Sequence, residues 1–270
     1  MSDDSIPLVE IFVRAARSNK QAKGPSLIGQ QWLMVLRALE NKQLIRLQVT
    51  PTSLQNPPTN YKNLCPARYL PMAWVVSGQI NGQDASGMSI SSAAHLESFM
   101  GKLGQANLNP DLDMKDVCKA EKVFGDLYKD FMHYVRNNVS QRLLSDLSSL
   151  DQYLASNPGP LLLGDQLSYV DCQLMPKLQH IRVAGRAYKQ FDIPEHLCHL
   201  WAYISQMYQS DEFLFSCPFD RDMLMHYEEK DPFPKDIRPS LMGADFLHDI
   251  PVSVEQQTQP QHATGDATTQ

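Results

Sequence analysis

Apolar and polar residues alternate differently in the two halves of the chain. Before about residue 102, short runs rich in β-branched and aromatic residues predict strands at 8–13, 44–49, 70–76 and 87–90. Between the first two strands, Trp32, Leu36 and Leu39 recur at helical spacing after a helix start at Ser26. Asn81-Gly82 predicts a hairpin turn, and Ser91 or Ser92 can cap a helix that runs through Met100. This order predicts a small α/β domain over residues 8–102.

Beyond about residue 115, every periodic segment has the spacing of a helix. The predicted helices cover 115–137, 140–155, 169–188, 195–209 and 221–229. Residues 103–114 contain Gly104, Asn107 and Pro110 and are predicted to link the α/β domain to an all-helical domain over 115–230. Residues 1–7 are expected to be disordered, and residues 231–270, broken by proline and then rich in Gln and Thr, to be extended or disordered.

The clearest local folding signal lies at Ser168 and Asp171. The Ser168 side chain can accept a hydrogen bond from a backbone N–H near Asp171, and the Asp171 carboxylate can reach back to the N–H of Ser168. Pro176 follows inside the same apolar pattern and is expected to kink the helix. A Ser–Asp pair can also be catalytic, but the pattern favours a structural cap on a buried core helix.

Composition and charge limit the classes of function. The 270 residues are 43% hydrophobic and carry a formal net charge of -6, with no basic block that would follow a nucleic-acid backbone. Five scattered cysteines indicate reduced thiols and a cytoplasmic location, and the acidic N-terminus does not resemble a signal peptide. No stretch is apolar enough to span a bilayer, so hydropathy predicts a soluble protein.

Two further groups of residues have side chains that could carry chemistry. Cys65 precedes Pro66, and we interpret it as a buried structural thiol, with a reactive thiol as the alternative. His196, Cys198 and His199 lie close in sequence, but Cys198 would point away from the face that the others share, and no fourth ligand is evident. The sequence therefore predicts no metal site.

The second half of the chain carries motifs of a known family. They are Leu162-Leu163-Gly164, Ser168-Tyr-Val-Asp171-Cys172, Leu174-Met-Pro176-Lys177-Leu178, Phe191-Asp-Ile-Pro194 and Leu200-Trp-Ala-Tyr-Ile204. With them the chain resembles the chloride intracellular channel (CLIC) family, particularly its invertebrate branch, from about residue 8 to residue 230. The resemblance implies an omega-like glutathione transferase fold, with an N-terminal thioredoxin-like domain and a C-terminal all-helical domain.

The resemblance also implies a degenerate glutathione site. Ser26 stands where many relatives have a redox cysteine, and it cannot form a mixed disulfide with glutathione. The Leu70–Pro71 bond is expected to be cis and to present backbone to a ligand. Ser91-Ser92 replaces the acidic residue that holds the γ-glutamyl amine in relatives. No cofactor is expected, glutathione would be at most a weak ligand, and enzymatic activity stays open with a non-enzymatic protein favoured.

The function that the resemblance implies is reversible membrane association of a cytoplasmic protein, chloride conduction and support of tubulogenesis. Its partners would be membrane lipids and chloride ions, with a monomer in solution and an oligomer in the membrane. The corresponding membrane segment is about 26–49 and includes Trp32, Leu36, Arg37 and Lys42. Its charges disfavour a single span by a monomer. The alternatives are a serine-type glutathione transferase that uses Ser26 and a non-catalytic binding or scaffold module.

Overall fold

The first half of the structure is built on a mixed β-sheet, and the second half is helical. The structure is a computed structural model that describes residues 5–157, 159–228 and 246–252. The strands are β1 (Leu8–Arg14), β2 (Arg46–Thr52), β3 (Met72–Ser77), β4 (Gln79–Ile80), β5 (Gln83–Asp84) and β6 (Ser89–Ile90). The helices are α1 (Leu27–Asn41), α2 (Thr59–Leu64), α3 (Ala93–Lys102), α4 (Met114–Val123), α5 (Leu127–Asn137), α6 (Gln141–Ala155), α7 (Tyr169–Lys189), α8 (Cys198–Tyr208), α9 (Asp211–Ser216) and α10 (Asp220–Glu228).

Four strands form the main sheet in the order β2-β1-β3-β6. β1 pairs in parallel with β2 and antiparallel with β3, and β6 is antiparallel to β3. Val9, Ile11, Phe12 and Val13 on β1 are all buried, because the central strand is covered on both faces. The β-α-β unit, the further strands and the helical second half confirm the predicted fold class.

Helix α1 lies between the sheet and the helical half of the protein. It begins at Ser26, whose hydroxyl accepts a hydrogen bond from the N–H of Gly29 across 3.2 Å. Trp32 and Leu36 are buried, and the helix packs against both α7 and α9. Because much of the helix is covered, its charged residues, Arg37 and Glu40, are confined to its C-terminal part.

Helix α7 is the central helix of the second half. The predicted capping box at Ser168 and Asp171 is confirmed, and both residues are completely buried. The helix continues through Pro176 to Lys189 without interruption. Tertiary packing therefore offsets the ladder hydrogen bond that proline removes.

Several element boundaries differ from the predictions. The Asn81-Gly82 turn joins the short strands β4 and β5, which pair with each other in a separate two-stranded sheet, so the strand before the turn is not β3 itself. The helix predicted over 115–137 is two helices, interrupted around Gly125, where Phe124 turns into the core. Helix α8 begins only at Cys198, because residues 194–197 form a turn in which the N–H of Leu197 donates to the carbonyl of Pro194 across 3.1 Å. Helices α2 and α9 were not predicted.

The two ends of the chain are only partly described. Residues 1–4, 229–245 and 253–270 lie outside the described residues, so the expectation for most of both tails is not addressed. Pro7 is buried, and its carbonyl accepts a hydrogen bond from the N–H of Arg46. Residues 246–252 pack against the helical half.

Candidate functional site

The residues of the expected glutathione site converge at one end of the sheet. Pro71 directly precedes Met72, which pairs with Phe12 near the end of β1. β6 runs antiparallel to β3, so Ser91, which follows it, leaves the sheet at this same end. The start of α1 is fastened here too, because the N–H of Gly24 donates to the carbonyl of Arg14 across 2.7 Å. Sequence spacing alone did not show that these segments meet.

Gly24 permits the close approach that holds the start of α1 against β1. A Cβ at this position would lie 2.8 Å from the carbonyl oxygens of both Arg14 and Ala15. That separation is too short for a carbon atom, and backbone cannot move aside as a flexible side chain can. The position of Ser26 relative to the sheet therefore depends on a glycine two residues before it.

Ser26 serves as the N-cap of α1. Its hydroxyl oxygen accepts from Gly29, so the group that would meet a ligand at this helix start already satisfies a backbone N–H. A thiol at a helix N-terminus is activated because its pKa falls there, but a serine hydroxyl stays protonated at neutral pH. This end of the helix can orient a ligand by hydrogen bonding, and it offers no redox chemistry.

The Leu70–Pro71 peptide bond is cis, as the resemblance implies. The loop before this bond is held by residues of helix α2 and of its C-terminal end. The Tyr61 hydroxyl donates to the carbonyl of Tyr69 across 2.7 Å, and the Cys65 Sγ lies 3.8 Å from the same oxygen. Burial raises the pKa of Tyr61, which therefore stays a donor. Cys65 is buried, with 2% of its surface exposed, which agrees with the structural interpretation of this thiol.

Ser91 and Ser92 make local contacts at the start of α3. The Ser92 hydroxyl accepts from the N–H of His95 across 3.2 Å and caps the helix. The Ser91 hydroxyl lies 3.0 Å from the His95 Nδ1. Neither side chain carries the negative charge that would hold a ligand amine. The structure thus places all five predicted site residues at one end of the sheet, while the serines are engaged locally.

A basic cleft lies beside this site, between the two halves of the protein. It encloses about 320 Å³, and Arg14, Arg17 and Lys20 contribute three cations to its wall. Asp222 on α10 closes it from the helical side and accepts from both the N–H and the hydroxyl of Ser18, across 3.0 and 2.8 Å. A cleft with this charge is suited to an anionic ligand. The sequence places Arg14, Arg17 and Lys20 close together, but it does not show that Asp222 meets this loop.

The charged residues of the predicted membrane segment also contact the rest of the protein. Arg37 Nε donates to Asp211 Oδ2 across 2.6 Å, which connects α1 to α9. Arg37 also pairs with Glu40 across 2.6 Å, and Lys42 donates to the side chain of Gln105 across 2.7 Å and to the carbonyl of Leu108. The hydrogen bond from Arg37 lowers the pKa of Asp211. Trp32 and Leu36 face the buried side, so the segment is held by its charges and its apolar residues alike.

Two further expectations concern spans and metals. None of the helices in the described ranges has the length and hydropathy needed to cross a membrane. His199 Nδ1 lies 3.5 Å from Asp151 Oδ2, and Cys198 Sγ lies 3.7 Å from the same ring nitrogen. Within residues 5–157, 159–228 and 246–252, no three His, Cys, Asp or Glu side chains are arranged to hold a metal ion.

Sequence comparison gives both a domain match and full-length relatives. Residues 134–205 match the family model of the glutathione S-transferase C-terminal domain. The chain is 30% identical over 254 residues to the chloride intracellular channel Clic of Drosophila melanogaster, covering 93% of each chain. It is 29% identical to the chloride intracellular channel exc-4 of Caenorhabditis elegans, covering 93% of this chain and 90% of the relative.

Comparison with solved structures agrees with these matches. The crystal structure of the CLIC homologue EXC-4 from C. elegans superposes with a TM-score of 0.78 at 28% identity, covering 94% of this chain and 97% of that one. A dehydroascorbate reductase of Chlamydomonas reinhardtii has a TM-score of 0.64 at 16% identity, covering 82% of this chain and 97% of that one. The latter likeness shows the fold alone, which is that of the glutathione transferases.

Proposed function

The chain belongs to the chloride intracellular channel family, and we propose that it exchanges between the compact form and a form associated with membrane lipids. The observation that carries this proposal is the position of α1. The helix buries a mainly apolar surface, made up of nine of its residues, between the two halves of the protein, and polar contacts near its end help to hold it there. Separation of the halves would expose this surface, and a membrane interface would then cover it.

The gain from lipid contact can be weighed against the contacts that hold α1. Burial of apolar surface contributes about 25 cal/mol per Å², whether protein or lipid covers it. The pairs that join α1 to α9 are largely exposed, since 53% of the Asp211 side chain is accessible, and exposed pairs contribute roughly 0–1 kcal/mol each. Because these polar contacts are weak, they adjust the free-energy difference between the compact and the membrane-associated form without preventing the exchange between them.

The mode of association follows from the charges of the segment. Arg37 and Lys42 would each cost on the order of 2.5–3.5 kcal/mol at the bilayer centre, whereas each apolar residue offsets only about 0.3–0.6 kcal/mol. A single span by a monomer is therefore disfavoured, and association is peripheral or oligomeric. Chloride conduction would require an oligomer in which these cations line a water-filled path, because rings of Arg or Lys favour anions.

The basic cleft favours a second role for the site beside Ser26. Glutathione carries two carboxylates, and Arg14, Arg17 and Lys20 contribute three positive charges to the wall of the cleft. We propose weak glutathione binding without redox turnover, because the site has no thiol and no acidic anchor at Ser91-Ser92. Calorimetric titration with glutathione tests this, and Lys20→Gln should reduce the binding. No heat of binding, or binding unaffected by Lys20→Gln, would contradict it.

Membrane association is tested with a dye on the outer face of α1. Ile28 is 46% exposed, so an Ile28→Cys variant can carry an environment-sensitive dye without disturbing the core. Cys118→Ser and Cys198→Ser remove the two native thiols that are not buried. Mixing with vesicles of phosphatidylcholine and phosphatidylserine should shift the dye emission to the blue, and flotation should recover bound protein.

Two further readouts separate association from conduction. Chloride efflux from the vesicles should rise more steeply than linearly with protein density, because conduction requires an oligomer. Deep burial of the dye in protein shown to be monomeric would contradict the inference that a single span is disfavoured. Absence of flotation at every vesicle composition would contradict membrane association itself.

A further inference from the structure

The segment of residues 246–252, called here the tail segment, fills a groove on the helical half of the protein. We call this surface the tail groove; it is formed by α7, α8, α9, the turn after α9 and α10. Three features of the groove contact the tail segment through its carboxylate, its backbone and its rings. Its polar contacts involve side chains that are themselves completely buried, such as Gln179 and Arg182.

The first feature is a site for a carboxylate. Arg186 donates two parallel hydrogen bonds to Asp249, across 3.2 and 3.0 Å, and Arg182 Nη2 lies 3.6 Å from the same carboxylate. The Arg182 guanidinium is completely buried and lies 4.6 Å from the centre of the Trp201 ring. Asp192 pairs with both arginines, so one carboxylate of the fold faces two cations. Asp249 supplies the second negative charge.

The second feature is a hydrogen bond to the backbone of the tail segment. Gln179 Nε2 donates to the carbonyl of Leu247 across 3.1 Å. The Tyr208 hydroxyl fixes the Gln179 amide by donating to its Oε1 across 2.6 Å, and the same hydroxyl accepts from Arg182 across 2.7 Å. These three side chains form one hydrogen-bonded group that faces the tail segment. The Leu247 side chain also packs against the apolar core, so this position favours an apolar residue.

The third feature is a row of rings. His248 stacks on Tyr208 with ring centres 4.6 Å apart, and it lies 5.4 Å from the Phe213 ring. Phe246 packs against Phe219 with ring centres 5.1 Å apart. Phe246 remains 43% exposed, so the first ring of the tail segment rests on the groove without being enclosed.

We propose that the tail groove is a peptide-docking site, which the tail segment occupies within its own chain and which takes a partner protein's peptide of the same chemistry. That chemistry is an aromatic residue, a second ring two positions later and a carboxylate directly after it. The polar contacts are directional, which gives specificity, and Leu247 and Ile250 pack against the core beside them. An exposed ring and a surface ion pair let the tail segment exchange. The chain's own occupant acts as a tethered competitor, so the groove opens to a partner only when the tail segment leaves.

A partner peptide fits the observations better than the tail segment of a second copy. Phe246 follows Glu228 of α10 by only 18 positions, and α10 itself borders the groove. Tethering gives the chain's own segment an effective concentration of the order of millimolar, which exceeds that of a second copy in a dilute solution. Another copy brings only the same peptide at a lower concentration and loses this competition, whereas a partner's peptide can win it by binding the groove more tightly than the tail segment does.

The test uses the full chain with the tail segment weakened and the groove intact. The release variant carries Phe246→Ala, His248→Ala and Asp249→Ala. The probe is a fluorescein-labelled peptide with the sequence of residues 246–252, and its binding is followed by fluorescence anisotropy. We expect the release variant to bind the probe about tenfold or more tightly than the wild-type chain, whose own segment competes. A probe with Asn in place of its aspartate should bind about tenfold more weakly.

Matched substitutions identify the groove as the site. Arg186→Gln in the release variant should remove probe binding, whereas Arg142→Gln, at an exposed position of α6, should leave it unchanged. If the release variant melts like an unfolded chain, Asp249→Asn alone replaces it as the acceptor. Equal affinity of the probe for wild-type and released chains would overturn the proposal. A concentration-dependent dimer joined through the tail segment would overturn it too, by assigning the groove to a second copy.

Discussion

The backbone N–H of Ser168 donates to Asp171 Oδ2 across 2.9 Å, and the Ser168 hydroxyl donates to the same oxygen across 2.5 Å. The other oxygen of Asp171 accepts from the N–H of Leu162 across 3.1 Å. Asp171 thus caps α7 and also holds the loop that leads into it. Burial raises the pKa of Asp171, and these hydrogen bonds oppose that effect.

Loss of this cap should reduce stability in a non-additive way. Ser168→Ala should lower the free energy of unfolding by about 0.5–2 kcal/mol. Asp171→Ala should lower it by on the order of 2–3 kcal/mol, because buried N–H groups of Ser168 and Leu162 lose their acceptor. The double variant should lose less free energy of unfolding than the sum of the two single losses, because each single variant already removes the hydrogen bond between the Ser168 hydroxyl and the Asp171 carboxylate. Chemical denaturation measures this.

Ser140 provides the control for the cap. It precedes α6 as Ser168 precedes α7, but its side chain makes no capping hydrogen bond. Ser140→Ala should therefore change the free energy of unfolding by less than about 0.5 kcal/mol. Strictly additive losses at Ser168 and Asp171 would mean that the two residues are not coupled.

The start of α1 should be silent towards glutathione disulfide. Ser26 has no thiol, so mass spectrometry after incubation should find no glutathione adduct there. Ser26→Cys should gain one, because a helix N-terminus lowers the pKa of a thiol. Both proteins should carry Cys118→Ser, which removes an exposed native thiol. Wild-type oxidoreductase turnover that survives Ser26→Ala but is lost in Cys65→Ser would place redox chemistry at Cys65 instead.

Gln30 should limit the stability of the compact form. Its side chain is buried in α1, and neither its amide nitrogen nor its amide oxygen has a hydrogen-bond partner among the described residues. Gln30→Met keeps the length and removes the unpaired polar atoms, so it should raise the free energy of unfolding by about 1–2 kcal/mol. It should also reduce association with vesicles. Gln31→Met, on the less buried side of α1, is the control. If Gln30→Met instead lowers the free energy of unfolding, the Gln30 amide has a hydrogen-bond partner.

Asp211→Asn should favour vesicle association by weakening the contact between α1 and α9. The exposed pair of Lys129 and Asp126 offers a matched control, because Asp126→Asn removes an ion pair far from α1. The effect should persist between about pH 7 and pH 5. The pKa of Asp211 lies below its ordinary value of 3.8, so the contribution of the pair is lost only as the pH falls below about 4. Equal association of the two variants would contradict this prediction.

Mild acid should loosen the tail segment. Burial and the neighbouring Arg182 lower the pKa of His248 to about 4 from 6.5, although Asp249 opposes this, while Tyr208 and Cys217 also face the ring. Because the released segment binds a proton more readily, docking weakens as the pH falls from about 6.5 towards 4. Hydrogen exchange at residues 246–252, corrected for the intrinsic rate, should show lower protection at pH 5 than at pH 7.5. His248→Phe should remove this dependence, and exposed His196→Gln should preserve it.

The sequence by itself determined the parts of the fold that depend on neighbouring residues. Helical periodicity placed α1, α6 and α7, because the apolar face of a helix repeats within a few residues. The cap at Ser168 and Asp171 was predicted for the same reason, since its atoms lie within three positions of each other. The family motifs gave the fold class and the cis bond at Pro71, and they marked Ser26 as a position without a thiol.

Only the tertiary structure decided which distant residues meet. The contacts of Ser18 with Asp222, of Arg37 with Asp211 and of Arg186 with Asp249 join positions that are far apart in sequence or divided by unrelated segments. No local pattern encodes such pairs, because a charge that faces a partner and a charge that faces water look alike in a sequence. The tail segment was expected to be extended or disordered for the same reason. Its few apolar residues gave no signal of a packed segment. The buried Gln179 and Arg182 that contact it belong to a helix more than 60 residues away, so no local pattern indicates these contacts.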